Sequence, residues 1–339
     1  MTVKPFAARL EPCSDTKKRF RLLTLLLLAS LGAQAQFRQT GTIPLPGVKG
    51  RLDHLAVDTA GGRLFVAALG NNSVEVLDLA ARRRVHSITG FSEPQGVLYV
   101  PELHRLFVAN GGDGRVLVFE GDSFQPAGEV RLMKDADNLR YDPATRHVWV
   151  GFGEGGLAEV DAADGRLLGR VHIDAHPESF QLESRGPRIF VNVPNAGHVA
   201  VVDRTRREVF ARWALPAAGG NFPMALDEET GRLFVGCRRP PEVLVLDIDT
   251  GRIVRRFACP GDADDLFYDA ARKRLYVSGG DGALAAFQRE KEDTFRSLGS
   301  LDTASGARTS LWVPELNRLF LAVPREGIRE AEVRIYEPE

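Results

Sequence analysis

From residue 37 onward the chain alternates between short apolar runs and clusters of Gly, Asn and Asp, and the alternation returns at a near-constant distance. Arg63-Leu64-Phe65-Val66 is followed by a Gly/Asn turn through residues 70–72 and by a second run, Ser73-Val74-Glu75-Val76-Leu77-Asp78. The first run comes back as Arg105-Leu106-Phe107-Val108, His147-Val148-Trp149-Val150, Arg188-Ile189-Phe190-Val191, Arg232-Leu233-Phe234-Val235, Arg274-Leu275-Tyr276-Val277 and Arg318-Leu319-Phe320-Leu321. The middle aromatics stand at 65, 107, 149, 190, 234, 276 and 320, so the steps are 42, 42, 41, 44, 42 and 44 residues. Short apolar runs bounded by turn residues predict strands rather than helices. A repeat of this length, made only of strands and turns, is the content of one β-propeller blade, and seven copies predict an all-β, seven-bladed β-propeller.

Each repeat divides into four strands, here lettered A to D from the channel outward. In the first blade they fall at 53–58, 64–67, 73–77 and 84–88. The connections carry turn chemistry, as in Asp58-Thr59-Ala60-Gly61-Gly62 and Asp247-Ile248-Asp249-Thr250-Gly251. Gly111-Gly112-Asp113-Gly114 repeats as Gly279-Gly280-Asp281-Gly282, and Val100-Pro101-Glu102-Leu103-His104-Arg105 matches Val313-Pro314-Glu315-Leu316-Asn317-Arg318 five blades on. The last repeat stops after its third strand, 332–336, whereas residues 36–44 read as a strand with no repeat of its own. That N-terminal strand is expected to become strand D of the last blade, closing the ring and removing its open edges. Residues 36–339 then form one domain, because each blade needs its neighbours to bury its faces.

Leu106-Phe107-Val108-Ala109-Asn110 followed by Gly114-Arg115-Val116-Leu117-Val118-Phe119 resembles the "YVTN" propeller repeat. Leu233-Phe234-Val235 followed by 243–252 does so too, and Pro94-Gln95-Gly96-Val97 matches that repeat's Pro-x-Gly-Val lead into strand A. Over residues 37–339 the chain looks like a secreted YncE-like seven-bladed propeller. The resemblance implies a fold, and with it either a binding protein or a protein of no known activity; similar seven-bladed rings also serve as lactone hydrolases.

Composition adds little to the fold, with 44% apolar and 26% charged residues and 34 Gly for the turns. The first 35 residues change the picture of compartment. Lys17, Lys18, Arg19 and Arg21 precede an apolar run from Leu22 to Leu31, and Ala33-Gln34-Ala35 offers small residues to a signal peptidase. This pattern predicts a signal peptide over residues 1–35, cleaved after Ala35, and a periplasmic or secreted protein; the run is too short to span a membrane. The long basic region leads to the expectation that the true start lies downstream of Met1. Removing six Lys/Arg and two acids takes the formal charge from −1 to −5, which argues against nucleic-acid binding. Arg82-Arg83-Arg84 reads as a solvated turn. Cys237 and Cys259 remain in an oxidising compartment. A disulfide between them stays open, because an intervening strand separates their positions. Neither a CxxC nor a CxxCH is present for thiol redox chemistry or haem.

Propeller ligands dock where the D-to-A and B-to-C loops surround the channel mouth. The polar residues that begin strand A there are Asp53-His54, Gln95, Asp137-Asn138, Glu178-Ser179, Asn221, Asp264-Asp265 and Arg308-Thr309. They differ from blade to blade while their flanks repeat, and the next position inward is apolar except at Ser310. One reading is a recognition surface for a small molecule, a peptide or a protein partner, on a monomeric propeller without a transmembrane segment. A second is a lactonase-type hydrolase, with Ca²⁺ or another divalent cation held by oxygens of Asp53, Asn138, Glu178, Asn221 and Asp265, of which Glu178, Asn221 and Asp265 are the leading set, and with His54 as general base. The ordinary alternative is that these groups cap strand ends and pair with Arg140 and Arg308. A quinone-dependent redox protein is disfavoured by the lack of vicinal Cys and of a repeated Trp motif. His172 and His176 flank the start of blade four, and His198 lies in a B-to-C turn. The leader is directly checkable: N-terminal sequencing of exported protein is expected to begin at Gln36, and a retained leader would remove the exported reading.

Overall fold

The computed structural model describes Met1, Thr2 and residues 37–339 apart from Met133 and Glu154. The expected signal peptide and its cleavage position lie outside the described residues. Among the described residues the regular elements are strands and three short 3-10 turns, and the strands form seven four-stranded antiparallel sheets. Blade one runs Leu55–Asp58, Arg63–Ala68, Ser73–Asp78 and Arg83–Thr89. The innermost strands of blades two to seven are Pro94–Val100, Ala136–Asp142, Phe180–Leu182, Gly219–Asp227, Ala263–Asp269 and Ser310–Val313. Among the described residues no helix is long and apolar enough to cross a membrane.

The Arg-Leu-Phe-Val pattern is explained by the position of strand B. Its two faces both pack against other blades, so the strand reads as an unbroken apolar run, as buried strands do. Phe65, Phe107, Phe190, Phe234 and Phe320 are fully buried, and Trp149 and Tyr276 are nearly so. The apolar clusters bridge blades: Phe65, Val74 and Val76 of the first pack with Val97, Tyr99 and Leu106 of the second. Strand D at the rim alternates instead, as in Glu208–Ala214, where every second residue is exposed. The leading Arg links blades. Arg63 donates to the Gly121 carbonyl, Arg188 to Ile248, Arg232 to Asp293 and Arg274 to Glu339, each in the next blade round the ring. Strand D of blade one opens at Arg83, one residue before the expected start, so only Arg82 of the three arginines stays in the turn, and Arg84 pairs with Glu75 at 3.0 Å.

The ring closes as the sequence predicts. Phe37–Leu45 pairs with Ala331–Pro338 and completes a sheet with Arg318–Val323 and Ser310–Val313. Repeated sequence gives repeated local structure: both Pro-Glu-Leu segments form one 3-10 turn, ended by His104 and Asn317 at φ 48° and 51°. The disulfide left open above is not formed. Cys237 and Cys259 are free thiols. Strand C of blade five, Pro241–Asp247, runs between strand B, which carries Cys237, and strand D, which Cys259 follows.

Closure supplies a prediction. Ile43 is fully buried in the cluster shared by blades one and seven. Ile43→Ala should lower unfolding stability by about 2–5 kcal/mol, read as a lower urea midpoint with an unchanged slope. An unchanged midpoint would mean that the closing strand contributes nothing to the ring.

Candidate functional site

The innermost strands converge at the D-to-A face, and their first residues are turned inward by irregular backbone. Asp135-Ala136-Asp137-Asn138-Leu139 and Asp262-Ala263-Asp264-Asp265-Leu266 share this device. Asp135 and Asp262 adopt left-handed φ values of 51° and 52°, and the pairing with strand B shifts register just afterwards. Such bulges re-aim side chains. Blades two and five shift at the same place. Gly96 is required by this crowding, because a Cβ there would lie 2.0 Å from the Asp137 carbonyl oxygen.

The result is a narrow mouth above a wider channel. A small cavity of about 20 Å³ is lined by Arg51, Asp53, His54, Asp137, Asn138, Glu178, Ser179, Phe222 and Asp264. His54 and Asn138 also line a cavity of about 400 Å³ below it, with Arg140, Asp265 and the apolar Leu98, Phe267 and Leu311. A further space of about 270 Å³ shares Arg140, Gln181, Asp265 and Phe267.

Seven of the sequence-predicted residues therefore meet at the mouth, and Asp265 sits one layer deeper. The others are used differently. Gln95 donates to Asp135, Thr309 to the Leu52 carbonyl, and Arg308 pairs with Asp262 at 2.9 Å. Asn221 is fully buried and donates to Asn192 Oδ1 and to the His198 carbonyl, both at 3.0 Å. It braces two blades through its amide nitrogen, its Oδ1 has no hydrogen-bond partner, and it lines neither the mouth with Glu178 nor the channel with Asp265. Ser310, the polar exception in the inner layer, bonds Ser278 at 2.8 Å and gives its N–H to Asp265 at 2.7 Å.

The mouth charges separate into two halves. On one side Arg51 meets Asp53 at 2.9 Å and Asp264 at 3.6 Å. Arg238 pairs with Asp264 and, at 3.3 Å, with Asp262, while its guanidinium lies 3.6 Å from the centre of the Phe222 ring. On the other side, among the described residues, Asp137 has only imidazoles within ion-pair range, His54 and His176, each at 3.9 Å. His176 also lies 3.3 Å from Asp135 and bonds the Gly153 carbonyl through Nδ1 at 2.6 Å.

Titration follows from these surroundings. Burial pushes Asp53 and Asp265 well above the usual carboxylate range, against the pull of Arg51 on the first and of the Ser310 N–H on the second. Burial lifts Glu178 to about 8, with Asp137 adding repulsion. Asp137 is also penalised by burial, yet the nearby imidazoles, His176 foremost and then His54, hold it below its ordinary value. Burial works against the charged His176, but Asp137 and the Gly153 carbonyl raise it to about 9. His54, the expected base, is lowered by burial despite Asp137.

Reading the starts of the innermost strands missed Arg51, Arg238 and the role of His176. Arg51 lies two residues before Asp53, in the loop that the same offset would have scanned. Arg238 lies near the end of strand B of blade five, and only the fold brings it across to Asp262 and Asp264.

No protein-family model matches the chain. In sequence it is 23% identical over 209 residues to the uncharacterized protein YncE of Salmonella typhimurium (strain LT2), a match covering 60% of this chain and 58% of that protein. The YncE of Salmonella typhi gives the same figures, so the chain matches little more than half the length of these curated relatives. Among solved structures, a chain of Kuenenia stuttgartiensis hydrazine synthase superposes with a TM-score of 0.72 at 14% identity, covering 82% of this chain and 95% of the other. The WD40 repeats of RRP9 superpose at 0.77 and 12% identity, covering 90% and 99%. The chain is YncE-like in sequence and a seven-bladed propeller in fold, as its repeat motifs implied.

Asp265 supplies a prediction with a definite sign. Its carboxyl holds a proton in the folded state that the unfolded chain, with a pKa of about 3.9, gives up. Between the unfolded and the raised folded pKa this residue makes stability fall as pH rises. Asp265→Asn, whose side-chain oxygen still accepts from Ser310, should raise Tm at pH 7.5, with the gain shrinking toward pH 4. A gain of equal size at both pH values would contradict this.

Proposed function

We propose that this YncE-like propeller acts after export as a binding protein for a small zwitterionic organic molecule with an apolar side chain, such as a free α-amino acid. One observation carries the reading. Arg140 and Asp265 line the same 400 Å³ cavity, and among the described residues no ion pair joins them to each other. Burial lowers Arg140 from its ordinary value, with Asp265 and Asp137 acting against the shift. Arg140 has no carboxylate within ion-pair range among the described residues, and burial leaves the Asp265 carboxyl protonated with only the His54 imidazole within that range, at 3.9 Å. A ligand that brings a carboxylate to the first and an ammonium group to the second offsets both costs.

The Arg140 guanidinium donates to the Leu139 carbonyl at 2.8 Å and to Ser179 at 3.4 Å, leaving N–H groups for a carboxylate. Asp265 meets the ammonium group. Leu98, Phe267 and Leu311 receive the apolar remainder. The hydrolase alternative is not carried further, since two of its expected cation ligands line different spaces, Glu178 the mouth and Asp265 the channel below.

The test is calorimetric titration with apolar α-amino acids, each beside its matched amine and matched carboxylic acid. The zwitterion should bind and its single-charge analogues should bind at least about tenfold more weakly, as should the zwitterion to Arg140→Gln or Asp265→Asn. Leu98→Trp, which fills the cavity, should abolish binding. No saturable zwitterion binding, or binding indifferent to Leu98→Trp, overturns the reading.

A further inference from the structure

We infer that Asp137, His176 and Glu178, with the side-chain oxygen of Asn138, form a binding site for a divalent first-row transition metal, Zn²⁺ foremost. The site lies at the channel mouth and does not depend on the zwitterion reading, which rests on Arg140 and Asp265.

The first support is donor geometry. One ligating atom from each of Asp137, His176 and Glu178 lies within 4.8 Å of the others. Ligands round a tetrahedral Zn²⁺ stand about 3–3.5 Å apart, given bonds near 2.0–2.2 Å, so modest side-chain rotation closes the set. His176 and Glu178 leave the same loop two residues apart, on either side of Pro177, and Asp137 enters from blade three.

The second support is the orientation of the imidazole. His176 Nδ1 bonds the Gly153 carbonyl at 2.6 Å and has Asp135 at 3.3 Å. A carbonyl oxygen only accepts, so Nδ1 carries a proton whatever the charge of the ring, and Nε2, which faces Asp137, is the nitrogen that gives up its proton when a metal binds. Metal-bound histidines are held in this way, with the outer nitrogen donating to a carbonyl or carboxylate.

The third support is independent of the cluster. Asn138 is 2% exposed, its Oδ1 has no hydrogen-bond partner, and the residue lines the same small cavity as Asp137 and Glu178. A buried amide oxygen without a donor is costly, and here it stands as a fourth ligand for the ion.

Charge sorting agrees. The guanidinium groups of Arg51, Arg238 and Arg308 are taken up by Asp53, Asp262 and Asp264. Among the described residues no guanidinium is within ion-pair range of Asp137 or Glu178. One imidazole nitrogen with carboxylate and amide oxygens suits Zn²⁺ or Mn²⁺ better than Ca²⁺, which takes oxygen ligands alone.

The experiment uses the whole exported protein without an affinity tag. It is stripped with chelator, dialysed against Zn²⁺ and analysed for bound metal, with affinity read by competition against a chromophoric chelator. One equivalent is expected, with Co²⁺ giving a visible ligand-field band. His176→Ala should weaken Zn²⁺ binding at least about 100-fold and remove the band. Glu178→Gln, which keeps the shape, should weaken it at least about tenfold and guards against a folding defect in the first variant. Binding well below one equivalent, or Zn²⁺ binding unchanged in both folded variants, overturns the site. Neither result touches the Arg140 and Asp265 variants that test zwitterion binding.

Discussion

Each blade is a sheet whose middle strands are apolar on both faces, and such a sheet is stable only between two others. Everything else in the molecule depends on that constraint. It forces the blades into a ring, and it forces the ring to shut, because an open ring would leave an apolar face of each end blade in water. Shutting it takes a strand from the far end of the chain: Phe37–Leu45 lies on Ala331–Pro338. The arginines that open strand B tie neighbouring blades at the rim.

The same constraint makes the centre polar. Seven innermost strands run toward one axis, and their ends come too close for apolar side chains to cover one another. The backbone bulges of blades two, three, five and six turn polar side chains into that space. Once there, an unpaired charge is costly at low dielectric. Arg51, Arg238 and Arg308 satisfy one side, His54 and His176 the other, and Arg140 with Asp265 faces the channel below. The mouth is thus a set of partly balanced charges built on rigid strands, which is how recognition sites are held in place.

Some of this site is legible in one dimension. Asp53, His54, Asp137, Asn138, Glu178, Ser179 and Asp264 can be listed from their offset to the strand B aromatics, because every blade places the same offset at the same height. Offset alone cannot tell Asp137, which meets His176, from Gln95, which turns to Asp135, or from Asn221, which braces Asn192. Those differences depend on side-chain direction after a bulge, and a bulge leaves little mark on composition.

The sequence by itself determined the number of blades, their order and the strand that closes them, because these follow from the spacing of apolar runs, and spacing is a property of the chain. The tertiary structure alone decided which acids pair with arginine, which with histidine, and which face the cavity unpaired. Those contacts join residues tens to hundreds of positions apart, such as Arg51 with Asp264 and Arg140 with Ser179. They exist only once packing of the blades has brought the innermost strands together, and Coulomb energy in that buried space depends on distances that no linear pattern records.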